Sequence, residues 1–303
     1  GTGYINLSNN YELQKTPFYP ILIGLASLFI TDTEFAGRLV SIIFGALLII
    51  TVFLLGKRFY GETAGHIAAI LVIFYPILSH YSILVMTEST YTFIFLLSIL
   101  LGWSCLSTEK TVYHHILIGI LFGIATLTRP EASMFFLMYI VTYVFFKYKD
   151  LYSHPKKILV MVILMIITFS IVIFPYVNFI HKHTGEWSLG SKSSSVFDRA
   201  DITVDDEDGY EKSHYSFPQK GKDKENVSLF RYFFTNPKGV FKYYLSNIYS
   251  ILFAKHILFE LIPVMLFLPL GLKLFRKGWN WEKLKKEFYL FLFLARAVLP
   301  AVI

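Results

Sequence analysis

The sequence predicts an all-α polytopic membrane protein, and its composition, apolar runs and loop charges carry that prediction. Hydrophobic residues make up 55% of the 303 residues and charged residues only 16%, whereas soluble domains carry about 25% charged residues. Apolar runs close to the roughly 20 residues that cross a bilayer recur along the chain. The net charge of +7 lies largely in the loops, so it predicts membrane topology and not a nucleic-acid partner.

The apolar runs are predicted to be membrane spans, with the last one cut short by the end of the sequence: residues 35–56, 64–79, 89–106, 115–128, 131–146, 157–175, 251–272 and 288 onward. The fourth and fifth are short and are separated only by Arg129-Pro130. An earlier apolar piece, Phe18 to Ile30, contains Pro20 and follows Pro17. These prolines fit an interfacial helix better than a ninth span.

The loops between these runs alternate in charge. Successive loops lie on alternate sides of the membrane, so odd-numbered and even-numbered loops (loops of opposite parity) face opposite sides. Thirteen of the 28 Lys and Arg residues lie in short loops of one parity, and the positive-inside rule assigns that side to the cytoplasm. The loops of opposite parity, including the Arg129 corner, are therefore predicted to share the exterior face. The resulting organisation has four parts: an exterior juxtamembrane segment at 1–34, a transmembrane bundle of about six spans at 35–175, an exterior loop with an interfacial helix at 176–250, and C-terminal spans at 251–303.

The long exterior segment contains two kinds of sequence. Residues 191–225 are rich in Ser, Asp, Glu and Lys and predict a loop that buries little on its own. From Asn236-Pro237 a capping residue and a proline at the first helical position precede apolar residues at helical spacing. This second stretch predicts a helix that lies on the outer membrane surface or packs within the exterior region.

Arg129 is a charge between two apolar runs, and a charge at the edge of a hydrocarbon layer is costly unless it is wetted or paired. Its guanidinium suits a phosphate ligand, because it presents a rigid fork of donors and is always charged. Alternatively, it reaches the lipid headgroups or pairs with Glu88 or Glu131. Pro130 ends the preceding helix and places Arg129 at a corner.

Glu88 is the candidate catalytic residue of the exterior hairpin. A carboxylate there is suited to act as a general base or to orient an acceptor hydroxyl. As the first residue of its span it is equally suited to stabilise free helix amides. Glu131 follows Pro130 and raises the same two possibilities, of which we expect the capping role.

Lys15 and Arg38 complete the candidate phosphate-binding group with Arg129. Lys15 precedes the Pro17 helix on the predicted exterior face. Arg38, at the outer end of the first span, either joins the phosphate site or pairs with Asp32 or Glu34. No metal site or cofactor is predicted, because His181-Lys182-His183 lacks a third ligand at a diagnostic spacing and the one cysteine is isolated.

Several motifs, in their order along the chain, resemble the GT-C glycosyltransferases, most closely the protein O-mannosyltransferase and aminoarabinose transferase superfamily. The motifs are FAGRLVS at 35–41, GKRFYG at 56–61, Tyr75-Pro76, MTES at 86–89 and LTRPE at 127–131. The resemblance implies a GT-C-type bundle of transmembrane helices with exterior juxtamembrane helices. It also implies inverting transfer of a sugar from a polyprenyl-phosphate donor to an acceptor protein, lipid or glycan, in contact with membrane lipids.

The resemblance also implies roles for individual residues. Lys15 matches the family's Lys-x-Pro position, Arg129 its basic residue at the exterior end of a later span, and Glu88 its acidic residue in the exterior hairpin. The family's principal catalytic carboxylate precedes Lys-x-Pro, where this sequence offers only Glu12. Since both ends of the sequence look cut, we expect that carboxylate to lie upstream of Gly1.

The location implied by the resemblance is a bacterial or archaeal plasma membrane, with the site facing outward. Two other functional classes stay open at this point. A secondary transporter or lipid flippase also holds charges within membrane spans, although such proteins commonly show internal repeats and interrupted helices. A non-catalytic membrane subunit would follow if no acidic loop precedes Gly1.

Overall fold

A computed structural model describes residues 15–107, 112–148, 152, 154–185, 187, 189 and 285–290. All of them belong to one compact unit, Lys15–Leu189 with Gly278–Phe293. The predicted loop at 191–225, the helix from Asn236 and the span at 251–272 lie outside the described residues.

Most of the described residues are helical, and no strand occurs among them, which confirms the all-α prediction. The helices follow in chain order as α1 (Phe18–Ala26), α2 (Thr33–Tyr60), α3 (Glu62–Phe74), α4 (Pro76–Ile83), α5 (Glu88–Ser107), α6 (Val112–Thr128), α7 (Ala132–Phe146) and α8 (Pro155–Thr184). Residues 285–290 are also helical.

Three of these helices, α2, α5 and α8, are long and apolar enough to cross a membrane, and α3, α6 and α7 are shorter apolar helices. The chain is therefore an integral membrane protein. The prediction of one continuous span at 64–79 is wrong, because α3 ends before Tyr75 and α4 begins at Pro76. Tyr75 has an extended backbone with ψ 110°, as a residue before proline prefers.

Polar and glycine residues define the ends of the long helices. The Asp32 carboxylate accepts hydrogen bonds from the N–H groups of Glu34 and Phe35, at 2.9 and 3.2 Å, and so caps α2. At its other end, Gly61 adopts a φ of 99°, which favours glycine. The sharp turn from α2 into α3 is therefore built on a residue without a side chain.

Close helix contacts rely on small residues. Gly119 lies against the Met165 and Phe169 backbone of α8, and Gly123 lies against Val172 one turn further along. Gly119 and Gly123, which lie four residues apart in α6, therefore serve helix packing. Phe136 of α7 stacks on Phe169, with ring centroids 4.2 Å apart, so α8 packs against both helices.

The helices bring two sets of polar residues to opposite ends of the bundle. At one end, here called the Arg58 end, Arg58 donates to Ser107 and Tyr60 donates to the Glu287 carboxylate, at 3.3 and 3.0 Å. The other end, here called the Arg129 end, holds the first residues of α5 and the corner between α6 and α7. The assignment of these two ends to the cytoplasm and the exterior stays a prediction.

Candidate active site

Arg129 lies between two carboxylates at the corner that joins α6 to α7. Its Nε is 2.5 Å from Glu131 Oε1, and its Nη1 is 3.3 Å from Glu88 Oε1. The guanidinium carbon also lies 5.5 Å from the centroid of the Tyr91 ring, within the range of a cation–π contact. The Arg129 side chain is 31% exposed, so it is held by protein groups while it stays accessible.

The corner itself follows from the sequence. Arg129 N–H still donates to the Ala125 carbonyl at 2.8 Å and completes the last turn of α6. Pro130 has no N–H to continue the helix. The next turn begins at once, with Ala132 N–H donating to the Arg129 carbonyl at 3.1 Å. Arg129 is therefore fixed by the end of one helix and the start of the next.

The predicted capping role of Glu131 is wrong. Glu131 is the residue that precedes α7, but its side chain makes no cap hydrogen bond. Its carboxylate pairs with Arg129 instead. A full positive charge two residues away attracts a carboxylate more strongly than the partial charges of helix amides do.

Glu88 begins α5, and its carboxylate reaches across to Arg129 on another element. Ser41 on α2 donates to the Met86 carbonyl at 3.4 Å, which ties α2 to the hairpin just before Glu88. The Glu88 side chain is 26% exposed. A carboxylate in this place can accept a proton from a hydroxyl bound at the surface, but its catalytic role stays a prediction.

The segment that carries Lys15 is attached to the same end. The Thr16 hydroxyl donates to the Thr128 carbonyl at 2.6 Å, so the neighbour of Lys15 contacts the neighbour of Arg129. The Tyr176 hydroxyl of α8 donates to the Lys15 carbonyl at 3.5 Å. The Lys15 side chain is exposed. The structure thus brings together Lys15, Glu88 and Arg129, which the loop parity predicted to share a face.

Tyr19 connects this segment to α2. Its hydroxyl lies 2.8 Å from Ser41 Oγ and 3.2 Å from the Gly37 carbonyl oxygen. Burial raises the pKa of Tyr19, the hydrogen bond with Ser41 opposes the rise, and the negative charge of Glu88 adds to it. The hydroxyl therefore keeps its proton at neutral pH and acts as a donor.

Arg38 takes a different position from the other predicted phosphate ligands. Its Nη2 pairs with Glu34 Oε1 at 2.6 Å, one turn away on α2. Both side chains are more than half exposed. The structure therefore shows the pairing that the sequence left open for Arg38, and a phosphate role for it stays a prediction.

The described residues contain no group of three or more His, Cys, Asp or Glu side chains arranged to hold a metal. His181 stacks on Trp187, with ring centroids 3.9 Å apart. His183 Nδ1 lies 2.7 Å from the Phe179 carbonyl oxygen of its own helix. Within this part of the chain, the two histidines therefore make packing and helix contacts.

The sequence interpretation missed three residues of this site. Tyr91 follows Glu88 by one helical turn, a spacing that places both on one face of α5 and could have identified it. Thr16 and Tyr19 flank Pro17 beside Lys15, but their partners on α6 and α2 are distant in sequence. That distance left no local signal for the contacts.

A family model described as dolichyl-phosphate-mannose-protein mannosyltransferase matches residues 14–174. The match covers just over half of the 303-residue chain, and the group formed by Lys15, Glu88, Arg129 and Glu131 lies within it. It confirms the resemblance that the sequence motifs indicated. No curated protein and no solved structure matches the chain.

Proposed function

The chain belongs to the dolichyl-phosphate-mannose-protein mannosyltransferase family, and on this premise we propose that it moves a sugar from a polyprenyl-phosphate donor to an acceptor hydroxyl at the exterior face of a membrane. Family membership indicates a GT-C-type membrane glycosyltransferase. The finer proposal is supported by one observation: a partly exposed Arg129, close to the Lys15 segment and paired with Glu88, lies at one end of an apolar helix bundle.

The reaction exchanges one bond at the anomeric carbon of the sugar. The acceptor oxygen attacks that carbon from the face opposite the donor phosphate, and the bond from carbon to phosphate oxygen breaks. The acceptor proton passes to a carboxylate, and polyprenyl phosphate leaves with the bonding electron pair. Attack from the opposite face inverts the anomeric configuration, so the product is expected to carry the inverted linkage.

Arg129 and Lys15 are proposed to bind the donor phosphate. Negative charge grows on the leaving phosphate as the bond breaks, and fixed cations stabilise it most where water is partly excluded. Arginine adds geometric selectivity, because its planar fork matches two phosphate oxygens. The apolar surfaces of α1 and α2 next to this end would contact the lipid chain of the donor.

Glu88 is proposed to act on the acceptor side. In the described structure its carboxylate accepts a hydrogen bond from Arg129, which holds it in a fixed orientation. We propose that it orients the acceptor hydroxyl or takes its proton, together with the acidic residue that the family carries before the Lys-x-Pro position. The acceptor is proposed to be chosen by residues 190–250, because variable loops carry specificity on rigid scaffolds.

The proposal is tested by reconstituting the complete protein in liposomes with polyprenyl-phosphate sugars and candidate hydroxyl acceptors. We expect a glycosylated product and release of polyprenyl phosphate in equal amounts. Movement of a substrate across the membrane without any glycosidic product would favour a transporter or flippase. The absence of both activities across several donor sugars would contradict the proposed function.

The charges around Arg129 make a second prediction. Arg129, Glu88 and Glu131 together carry one net negative charge, which disfavours an anionic donor. Replacing Glu131 by glutamine removes that excess charge, while an amide oxygen can still accept from Arg129 Nε. We expect Glu131→Gln to bind sugar-free polyprenyl phosphate about threefold to tenfold more tightly, since the interaction between two neighbouring charges that water reaches is worth about 1 kcal/mol.

The matched control is Glu62→Gln, which removes a carboxylate 2.9 Å from Lys57 at the Arg58 end. Its dissociation constant for polyprenyl phosphate should equal that of the unaltered protein at the same ionic strength. Unchanged or weaker binding by Glu131→Gln would mean that Glu131 does not compete with the phosphate for Arg129.

A further inference from the structure

We infer that the hydroxyls of Thr16 and Tyr19 are positioning groups, which hold Lys15 beside Arg129 and fix the hairpin that carries Glu88. The inference rests on the proposed function and adds two residues that touch neither donor nor acceptor in it. It follows from the contacts of one short segment, residues 15–19, with three other helices.

The Thr16 contact fixes the phosphate side of the site. Thr16 is 8% exposed, and its hydroxyl donates to the carbonyl of Thr128, the last residue of α6. Carbonyls in the last turn of a helix lack the usual partners within the helix, so a side-chain donor has a defined place to bind. Since Lys15 and Arg129 are the adjoining residues, this one bond sets the distance between their backbones.

The Tyr19 contact fixes the acceptor side. Tyr19 is 4% exposed and is the buried residue of α1. Its hydroxyl lies 2.8 Å from Ser41 Oγ, and Ser41 in turn donates to the Met86 carbonyl. Met86 precedes Glu88 by two residues. A chain of hydroxyls thus runs from α1 through α2 to the hairpin of Glu88.

Thr16 and Tyr19 belong to the same short segment. This segment is rigid, because Pro17 lies between Thr16 and the start of α1 and fixes the backbone there. Movement of either contact would therefore shift Lys15 relative to Glu88. Misplacement of reacting groups by about 1 Å can cost up to about a hundredfold in rate. Two buried hydroxyls that touch neither donor nor acceptor can therefore control the reaction.

The test separates the two contacts by kinetics. Thr16→Val keeps the size of the side chain and removes its hydroxyl. We expect a roughly tenfold higher KM for the sugar donor and a lower kcat, with the KM for the acceptor within about twofold. Tyr19→Phe removes only a hydroxyl, and we expect a roughly tenfold lower kcat with KM within about twofold. Thr16→Ser restores the hydroxyl and should therefore restore the KM for the sugar donor.

Two control variants remove a buried threonine hydroxyl and a buried tyrosine hydroxyl away from the candidate site. Thr51→Val removes a buried hydroxyl that donates to the Leu47 carbonyl within α2, at 3.0 Å. Tyr289→Phe removes a buried hydroxyl that donates to the Ile99 carbonyl at 2.8 Å. These variants should keep both kinetic constants within about twofold of the unaltered protein, whatever their effect on Tm.

A purely structural role for Thr16 and Tyr19 would lower Tm and change the KM values for donor and acceptor alike, and that result would overturn the inference. Kinetic constants equal to those of the controls would overturn it as well. In both cases an active unaltered protein leaves the proposed function intact. Affinity for sugar-free polyprenyl phosphate, expected to fall about tenfold in Thr16→Val, tests the Thr16 contact even if no transfer is detected.

Discussion

Arg129→Ala is expected to reduce sugar transfer by the complete protein about a hundredfold to a thousandfold, the size of effect seen when one donor to a developing anion is removed. The expected cause is loss of the cation that stabilises the leaving phosphate. Both kcat and the affinity for polyprenyl phosphate should fall. Transfer is measured in proteoliposomes, and insertion and folding are measured by membrane extraction and Tm in detergent.

The matched control is Arg58→Ala, at the Arg58 end of the bundle. Arg58 is exposed and donates to Ser107, so its loss removes the same charge at the end opposite the candidate site. It should keep transfer within about twofold. Unchanged product formation by Arg129→Ala, with correct insertion, would remove Arg129 from the site.

Loss of Arg129 also leaves Glu88 and Glu131 without their shared counter-ion, so a modest loss of stability is expected as well. Arg129→Lys separates the two effects. It keeps the charge but loses the bidentate fork, and should therefore keep Tm close to that of the unaltered protein while transfer stays well below normal. Equal activity of Arg129→Lys and the unaltered protein would mean that charge alone is needed.

The helices were predictable because membrane spans are visible in a sequence as long apolar runs with polar residues at their ends. The Arg129-Pro130 corner falls between the fourth and fifth predicted spans, as expected. Helix α2 begins at Thr33, two residues before the predicted start of the first span. The break at Tyr75-Pro76 was missed although the proline was visible. Hydrophobicity is continuous across the break, and α3 ends there because Pro76 has no N–H to continue the helical hydrogen bonds.

The candidate site was predictable only in part. Loop parity placed Glu88 and Arg129 on one face, but their bond depends on how α5 packs against α6. The partner of Arg38 was readable, because Glu34 lies four residues earlier on the same helix. The contact between Tyr19 and Ser41 depends on the angle at which α1 packs against α2, and the local sequence does not predict that angle.

Gly119→Leu is expected to destabilise the bundle by about 3 kcal/mol or more, at the upper end of the cost of overpacking a filled core. Even a methyl group at this position would lie 2.5 Å from the Met165 carbonyl oxygen and 3.2 Å from the Phe169 nitrogen. Both are backbone atoms of α8, so the side chain fits only if the two helices separate. A 3 kcal/mol loss lowers Tm by roughly 6–12 °C for a chain of this size.

The matched control is Gly24→Leu, because nothing lies within 4 Å of the side-chain position at Gly24. Its Tm should stay the same or rise slightly, since glycine disfavours a helix by about 1 kcal/mol relative to other residues. Separation of α6 from α8 would also move Tyr176, which donates to the Lys15 carbonyl. Gly119→Leu should therefore reduce sugar transfer below the temperature at which it unfolds, and a variant with normal Tm and normal transfer would contradict the close approach of these helices.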